Sequence, residues 1–280
     1  MNRKSPEPIP ISRRAFLATL AAAPLAARRP PVVDAHMHVW TDDLARFPIS
    51  HPYDPDFKLP PITGSVEMLK RFRAQGLIDP TDTQVANKLA YWMQERGFAG
   101  MRFSPIYYQG RDEWLTSEAH RQLWKTAERL GAIFNFFIAA NQLARLETMI
   151  AGYPEVKVVI DHLARVNLGS PDPAAEIAQL TRLARYPNVW VKVSELCIIS
   201  PSKSYPYVDT FPWVKRVFEA FGPDRLLWGT GFPGTTRGQA ERPSLEQELA
   251  LIRQEIPFFS KSDREKILGR NAARLWQFGV

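Results

Sequence analysis

Short apolar runs alternate with amphipathic segments from residue 32 to the end of the chain. This alternation is typical of an α/β fold with a parallel sheet. Ser117 can cap a helix that ends at Gly131, and capping-box patterns at Ser244 and Ser262 predict two more helix starts. The predicted strands are residues 32–40, 72–79, 98–105, 132–139, 157–165, 189–196 and 226–233.

This order of elements predicts a (β/α) barrel. Such a barrel takes about 250 residues, and a 45% apolar composition is enough to fill its core. The pattern supplies seven strands where a complete barrel of this type has eight. Proline- and aromatic-rich stretches at 41–63 and 200–213 are predicted loops at strand ends, which is where a barrel keeps its site.

Residues 1–27 differ from the rest of the chain. Adjacent Arg13 and Arg14 precede an apolar run over 15–27, which is too short to span a bilayer. A basic start, a short apolar stretch and small residues near its end predict a twin-arginine-type export signal and a periplasmic location. The expected domains are therefore this leader and a barrel over residues 28–280.

Charge and cysteine content limit the classes of binding partner that are expected for this protein. Residues 1–27 carry a large share of the formal net charge of +7, and the remainder has no basic run that would follow a phosphate backbone. Nucleic acid and a stable membrane span are therefore not expected, and a small molecule is. A homo-oligomer is left open. The lone cysteine, Cys197, cannot form a disulfide within the chain, and we assign it no nucleophilic role.

The first predicted strand carries the clearest candidate chemistry. Side chains alternate across a strand, so Asp34, His36 and His38 share one face of it. Two neighbouring imidazoles can hold a divalent metal or polarise a substrate. His120 lies within a predicted helix and is expected at the surface.

Other polar residues interrupt later strands. His162 stands at the end of the 157–165 run and completes a set of three imidazoles with the first-strand pair. Arg165 offers a bidentate fork for a substrate carboxylate. Arg102 and Lys192 lie inside apolar strands and need either a substrate anion or an internal carboxylate as partner.

These motifs, in their order, resemble the amidohydrolase-related family over about residues 32–278. The matching segments are the His-x-His first strand, the Asp-His-Leu strand, 189–196, 221–229 and 267–276. The resemblance implies a TIM-type barrel with the site at the strand C-termini. It also implies that His36, His38 and His162 line that site, with zinc or manganese as a metal in some members and no metal in others.

Three departures from the family pattern stand out. Gly231 occupies the position of the family's last-strand aspartate, which acts as base and often as metal ligand. Glu195 adds a carboxylate where the pattern usually has glycine, and it could replace that base if the strand ends or bulges there. The second βα unit, expected between residues 64 and 72, is missing, so the barrel is expected to have seven strands.

The leading hypothesis is a hydrolase that opens a lactone or a related C–O or C–N bond in a small, polar, anionic substrate. His36, His38 and His162 hold a metal or the carbonyl group. Glu195, or with less support Asp161, activates water. Arg102, Arg165 and Lys192 bind substrate. The alternatives are a non-oxidative decarboxylase of the same family and a non-catalytic ligand-binding barrel that lost its base.

Overall fold

A computed structural model of the protein describes residues 30–36, 75–77, 81–232 and 242–277. The elements below belong to one compact unit, Pro31–Val280. Within the described residues six short strands form one parallel sheet in chain order, β1 to β6. They are β1 Gln75–Leu77, β2 Gly100–Phe103, β3 Ile133–Phe136, β4 Lys157–Ile160, β5 Val189–Lys192 and β6 Leu226–Leu227.

Helices connect the strands, as βαβ units require. They are α1 Val85–Arg96, α2 Glu118–Leu130, α3 Leu143–Gly152, α4 Pro173–Arg182, α5 Leu196–Ile199, α6 Phe211–Phe221, α7 Leu245–Ala250, α8 Lys261–Glu265 and α9 Asn271–Leu275. Single π-helical turns at Leu251–Glu255 and Lys266–Arg270 extend α7 and join α8 to α9. Within the described ranges every helix is too short or too polar to cross a bilayer.

The sheet has two buried faces with different contents. Phe134, Phe136 and Val191 pack into the main apolar core together with helix residues. The alternate positions Ile133 and Val159 belong to a second apolar cluster, which Trp276 from the end of the chain also joins. Polar side chains such as Asn135 and Lys192 share this second face and are buried there. The second face therefore positions the polar groups of the site.

The segment before residue 37 packs beside the end of β6. Ala35 N donates to the Trp228 carbonyl (3.1 Å), and Gly231 N donates to the His36 carbonyl (2.7 Å). The approach is close enough that a Cβ on Gly229 would lie 2.7 Å from the His36 Cβ. The start of the compact unit is thus held against its last strand.

Several sequence predictions can now be compared with the structure. Six of the seven predicted runs contain a strand. The described part of the first run, 32–36, is hydrogen-bonded to the 228–231 segment but is not a regular strand, and residues 37–40 lie outside the described ranges, as does the 64–72 region. The caps at Ser117 and Ser244 are confirmed.

Two predictions were wrong. The cap of α8 is Ser260, whose hydroxyl accepts from Asp263 N, so the helix starts two residues before the box predicted at Ser262. His120 is fully buried against Phe103 and Trp114, because its position on α2 faces the sheet.

Candidate active site

Three buried polar side chains meet at the carboxyl end of the sheet. One ligand atom from each of His36, Asp161 and His162 can be chosen so that all lie within 4.8 Å of one another. The two imidazole rings have centroids 4.5 Å apart. Asp161 and His162 follow directly after β4, and His36 arrives from the segment beside β6. Parallel strands place their C-terminal ends at one edge, so distant parts of the sequence meet here.

Asp161 is the partner of the two cations that interrupt the strands. Its Oδ2 accepts from Arg102 Nε at 2.8 Å, and its Oδ1 lies 2.9 Å from Lys192 Nζ. The side chains of Asp161 and Lys192 are no more than 1% exposed. Of the two partners that the sequence allowed for these cations, the internal carboxylate is the one observed.

The backbone that carries His162 is unusual. Residues 162–165 all have left-handed φ values, from 48° to 54°, and none of them is glycine. This conformation costs roughly 1–2 kcal/mol per residue for an L-amino acid. The turn directs the His162 Nδ1 to Ser194 Oγ at 2.9 Å and brings Arg165 back over the Phe137 ring. Strain of this kind is concentrated at functional sites.

Glu195 enters the same site from the end of β5. The strand stops at Lys192, and Glu195 has φ 54°, so its side chain departs from the strand alternation. Its Oε2 lies 3.1 Å from Arg165 Nη1, its Oε1 lies 3.1 Å from Arg242 Nη1, and Oε1 is also 3.9 Å from His162 Nε2. Glu195 therefore joins the arginines to the imidazole pair.

The surroundings fix the protonation of these groups. Burial, helped by Lys192, lowers the pKa of His36 well below its usual range, and burial lowers the pKa of His162 to about 4, so both imidazoles are neutral at pH 7. Burial alone would raise the pKa of Asp161, but Lys192 and Arg102 outweigh it and hold that pKa well below its usual range.

The same balance applies to Glu195. Burial acts to raise its pKa, but His162, Arg165 and Arg242 together lower the pKa to about 2. The site therefore combines neutral imidazoles, two carboxylates and several cations.

His36, Asp161 and His162 fit a divalent metal in residue type, burial and spacing. Neutral imidazole and carboxylate are ligands that zinc accepts, and both rings are held neutral here. Lys192 Nζ, 3.4 Å from the His36 Nδ1, lies close to the same ligand atoms. The site thus allows a divalent ion, although the Asp161 carboxylate is already paired with the Lys192 ammonium group.

The structure brings together most, but not all, of the site residues that the sequence predicts. The structure brings together His36, His162, Glu195, Arg102, Arg165 and Lys192, whereas His38 lies outside the described residues. Asp161 has a more central position than the sequence suggested. Arg242 was missed, because it lies between the last predicted strand and the Ser244 helix cap, where the sequence pattern points to a helix start and to no site residue.

A cavity of 260 Å³ opens beside Arg165. It is lined by Arg165, Val166, Asn167, Gly169, Ile198, Ile199, Ser200, Pro201 and Lys203. Two cations and several apolar side chains line it, so it offers room for part of a small anionic molecule next to the polar cluster.

Cys197 lies close to this site but is predicted to be unreactive. Burial raises the pKa of its thiol to about 11, which lowers the thiolate fraction at pH 8 about 100-fold relative to the unfolded chain. We expect iodoacetamide at pH 8 to label the folded protein at least 100-fold more slowly than the protein in urea, as followed by mass spectrometry. Equal rates in the two states would contradict this prediction.

Comparison with known proteins shows which family this chain is similar to. The family model described as amidohydrolase matches residues 66–278. A 4-sulfomuconolactone hydrolase of Rhizobium radiobacter is 31% identical over 74% of this chain and 67% of its own length. A 2-pyrone-4,6-dicarboxylate hydrolase of Comamonas testosteroni is 26% identical over 66% of this chain and 61% of its own length, so the chain spans about two thirds or less of these relatives.

A solved structure agrees with the fold. An amidohydrolase from Burkholderia multivorans with bound zinc superposes with a TM-score of 0.62 at 21% identity, covering 72% of each chain. The α/β fold with a parallel sheet is thus that of a solved amidohydrolase. The family model covers well over half of the sequence, and the chain belongs to the amidohydrolase family.

Proposed function

We propose that the protein hydrolyses a lactone, or a related ester-like bond, in a small anionic substrate. The observation that carries the proposal is the buried cluster of His36, Asp161 and His162, with Arg102, Lys192 and Arg165 beside it. Two neutral imidazoles and an excess of cationic side chains suit a carbonyl group with an acidic substituent. The names of the two curated relatives, a sulfolactone hydrolase and a dicarboxylate hydrolase, support the same class.

The residues divide into three roles. Arg165 pairs with Glu195 through Nη1 and has further guanidinium donors that can bind a substrate carboxylate or sulfonate. Lys192, and Arg102 beyond it, can donate to the carbonyl oxygen or to a hydroxyl group, in addition to holding Asp161. His36 and His162, with His38 as the predicted third imidazole, orient the carbonyl carbon toward the attacking water.

The reaction consumes one water molecule. The water oxygen bonds to the carbonyl carbon, its proton passes to Glu195, and the ring C–O bond breaks as the leaving oxygen takes that proton from Glu195. The product is the open-chain hydroxy acid, and Glu195 returns to its carboxylate form. Asp161 is the weaker candidate for the proton acceptor, because its side chain is 0% exposed, whereas the Glu195 side chain is 8% exposed and is easier for water to reach.

A metal can take part without changing these assignments. Zinc or manganese would be held by His36, Asp161 and His162. The sequence predicts His38 as a further ligand. Such an ion supplies Lewis-acid polarisation of the carbonyl group and a lowered pKa for bound water.

The test is a lactone panel that contains neutral sugar lactones and carboxylated or sulfonated lactones. The wild-type protein, assayed with chelator and with added zinc or manganese, is expected to open the acidic members. His36→Ala is expected to fall to the uncatalysed rate, while Lys215→Ala on the exposed face of α6 keeps wild-type activity.

Three outcomes would reject the proposal. They are an inert wild-type protein, a fully active His36→Ala variant, and release of carbon dioxide in place of acid. The last of these would identify the decarboxylase alternative.

Two finer expectations remain proposals. We infer a barrel of seven strands, with the segment beside β6 as the first; a crystal structure of the protein will test this count. We also propose export through the leader at residues 1–27, which fractionation of cells with and without Arg13→Lys/Arg14→Lys will test.

A further inference from the structure

We infer that the carboxylate of Glu195 occupies the place that a side chain at residue 231 would take, so that Gly231 is required for Glu195 to serve the site. The inference rests on the proposed function for its catalytic part. It assigns the water-activating carboxylate to the end of β5 and explains the glycine after β6.

The first step is the contact between the two positions. A Cβ built on Gly231 would lie 2.9 Å from the Glu195 Oε1 and 3.8 Å from the His36 Cδ2. The first distance is shorter than real Cβ contacts allow, so a side chain at 231 requires the Glu195 carboxylate to move from its present place between the two arginines. The second distance shows that this shared place faces His36.

The second step is how Glu195 reaches that place. Strand alternation puts Lys192 and Ser194 on the polar face of the sheet and would put Glu195 on the opposite, apolar face. The left-handed φ of 54° at Glu195 reverses this direction. A glutamate in this conformation costs roughly 1–2 kcal/mol, which the surrounding contacts must offset.

The third step is what holds the carboxylate there. Arg165 and Arg242 each lie 3.1 Å from one of its oxygens, and the Arg242 side chain is only 4% exposed. The arginines come from different parts of the chain and converge on a single acid. A carboxylate with two cations and an imidazole around it, at the edge of the His36 cluster, is positioned to accept a hydrogen bond from water.

The inference makes residues 195 and 231 exchangeable as carriers of the carboxylate. Gly231 has φ 65°, where any side chain adds backbone strain, and aspartate tolerates this conformation better than most residues, so Gly231→Asp is the least strained way to place an acid there. Glu195→Gly removes the backbone strain at residue 195, because glycine adopts a left-handed φ without steric cost. The double variant therefore moves the acid from one strand end to the other.

The experiment compares four proteins on the best lactone of the panel: wild type, Glu195→Gly, Gly231→Asp and the double variant. Each single change is expected to lower kcat at least 100-fold, and the double variant to recover at least 10-fold over either. Glu195→Gln, which keeps the shape and removes the charge, is expected to match Glu195→Gly. A fully active Gly231→Asp, or a folded double variant no better than the singles, would overturn the inference.

Thermal unfolding of the same set separates this inference from the proposed function. Gly231→Asp is expected to lower Tm in the wild-type background and to lower it much less when Glu195 is glycine, because the crowded atom is gone. Equal Tm losses in both backgrounds would overturn the shared place. If the wild-type protein opens no lactone, the proposed function fails, and the Tm comparison still decides whether the two positions share one place.

Discussion

Replacing Asp161 with asparagine is expected to lower the free energy of unfolding by about 3–5 kcal/mol, because it leaves buried cations without their carboxylate. Lys192 is 1% exposed and Arg102 is 16% exposed, and both contact Asp161 within 3 Å. An amide accepts a hydrogen bond but does not neutralise them. Urea unfolding at pH 7 measures the loss, and we expect hydrolysis to be lost with it.

The matched control is Asp224→Asn, which makes the same chemical change in an exposed ion pair with Lys266. It is expected to cost no more than about 1 kcal/mol, since surface pairs contribute little. Adding Lys192→Met to Asp161→Asn should recover part of the loss, because the uncompensated ammonium is removed. An Asp161→Asn protein within 1 kcal/mol of wild type would contradict the buried charge balance.

Gly229→Ala is expected to lower kcat/KM about 100-fold although residue 229 has no side chain that could take part in the reaction. The new Cβ would lie 2.7 Å from the His36 Cβ and 2.8 Å from the His36 N, so the segment that carries His36 must shift. Misplacing a catalytic group by about 1 Å can cost about 100-fold in rate. Steady-state kinetics on the panel substrate measures the effect.

Gly152→Ala is the control for that change. Gly152 ends α3, and a Cβ there meets no atom within 4 Å. This variant is expected to keep full activity and to be as stable as wild type or slightly more stable. A Gly229→Ala enzyme with unchanged kinetics would show that the His36 segment can move without loss.

The part of the site that the sequence predicted follows from strand geometry. His36 lies at the end of the first predicted run and His162 at the end of a later one, and parallel strands bring such ends to one edge. The interruption of apolar strands by Arg102 and Lys192 likewise required an anionic partner, either a substrate or an internal carboxylate, and the structure shows Asp161. These predictions needed only the alternation of apolar and polar residues along each strand and the free-energy cost of burying a charge.

The rest could not be predicted, because it depends on backbone conformations that leave no mark in composition. Four consecutive left-handed residues usually require glycine or asparagine, yet 162–165 contain neither. Alternation alone would place Glu195 on the apolar face, and the sequence could not show that the strand ends at Lys192, which is the condition on which the role of Glu195 depended. Arg242 reaches Glu195 across 47 residues of sequence, and no local pattern reports such a contact.

The link between Asp34 and Thr230 also determines when the site can assemble. Asp34 accepts from Thr230 N and Oγ1 and from His36 N, and it lies 196 residues from Thr230. Contacts of such long sequence separation form late, since a large loop must close before they stabilise anything. While β6 is still inside the ribosome, the segment that carries His36 therefore lacks its contact with Thr230. Activity then appears only once the whole fold is complete.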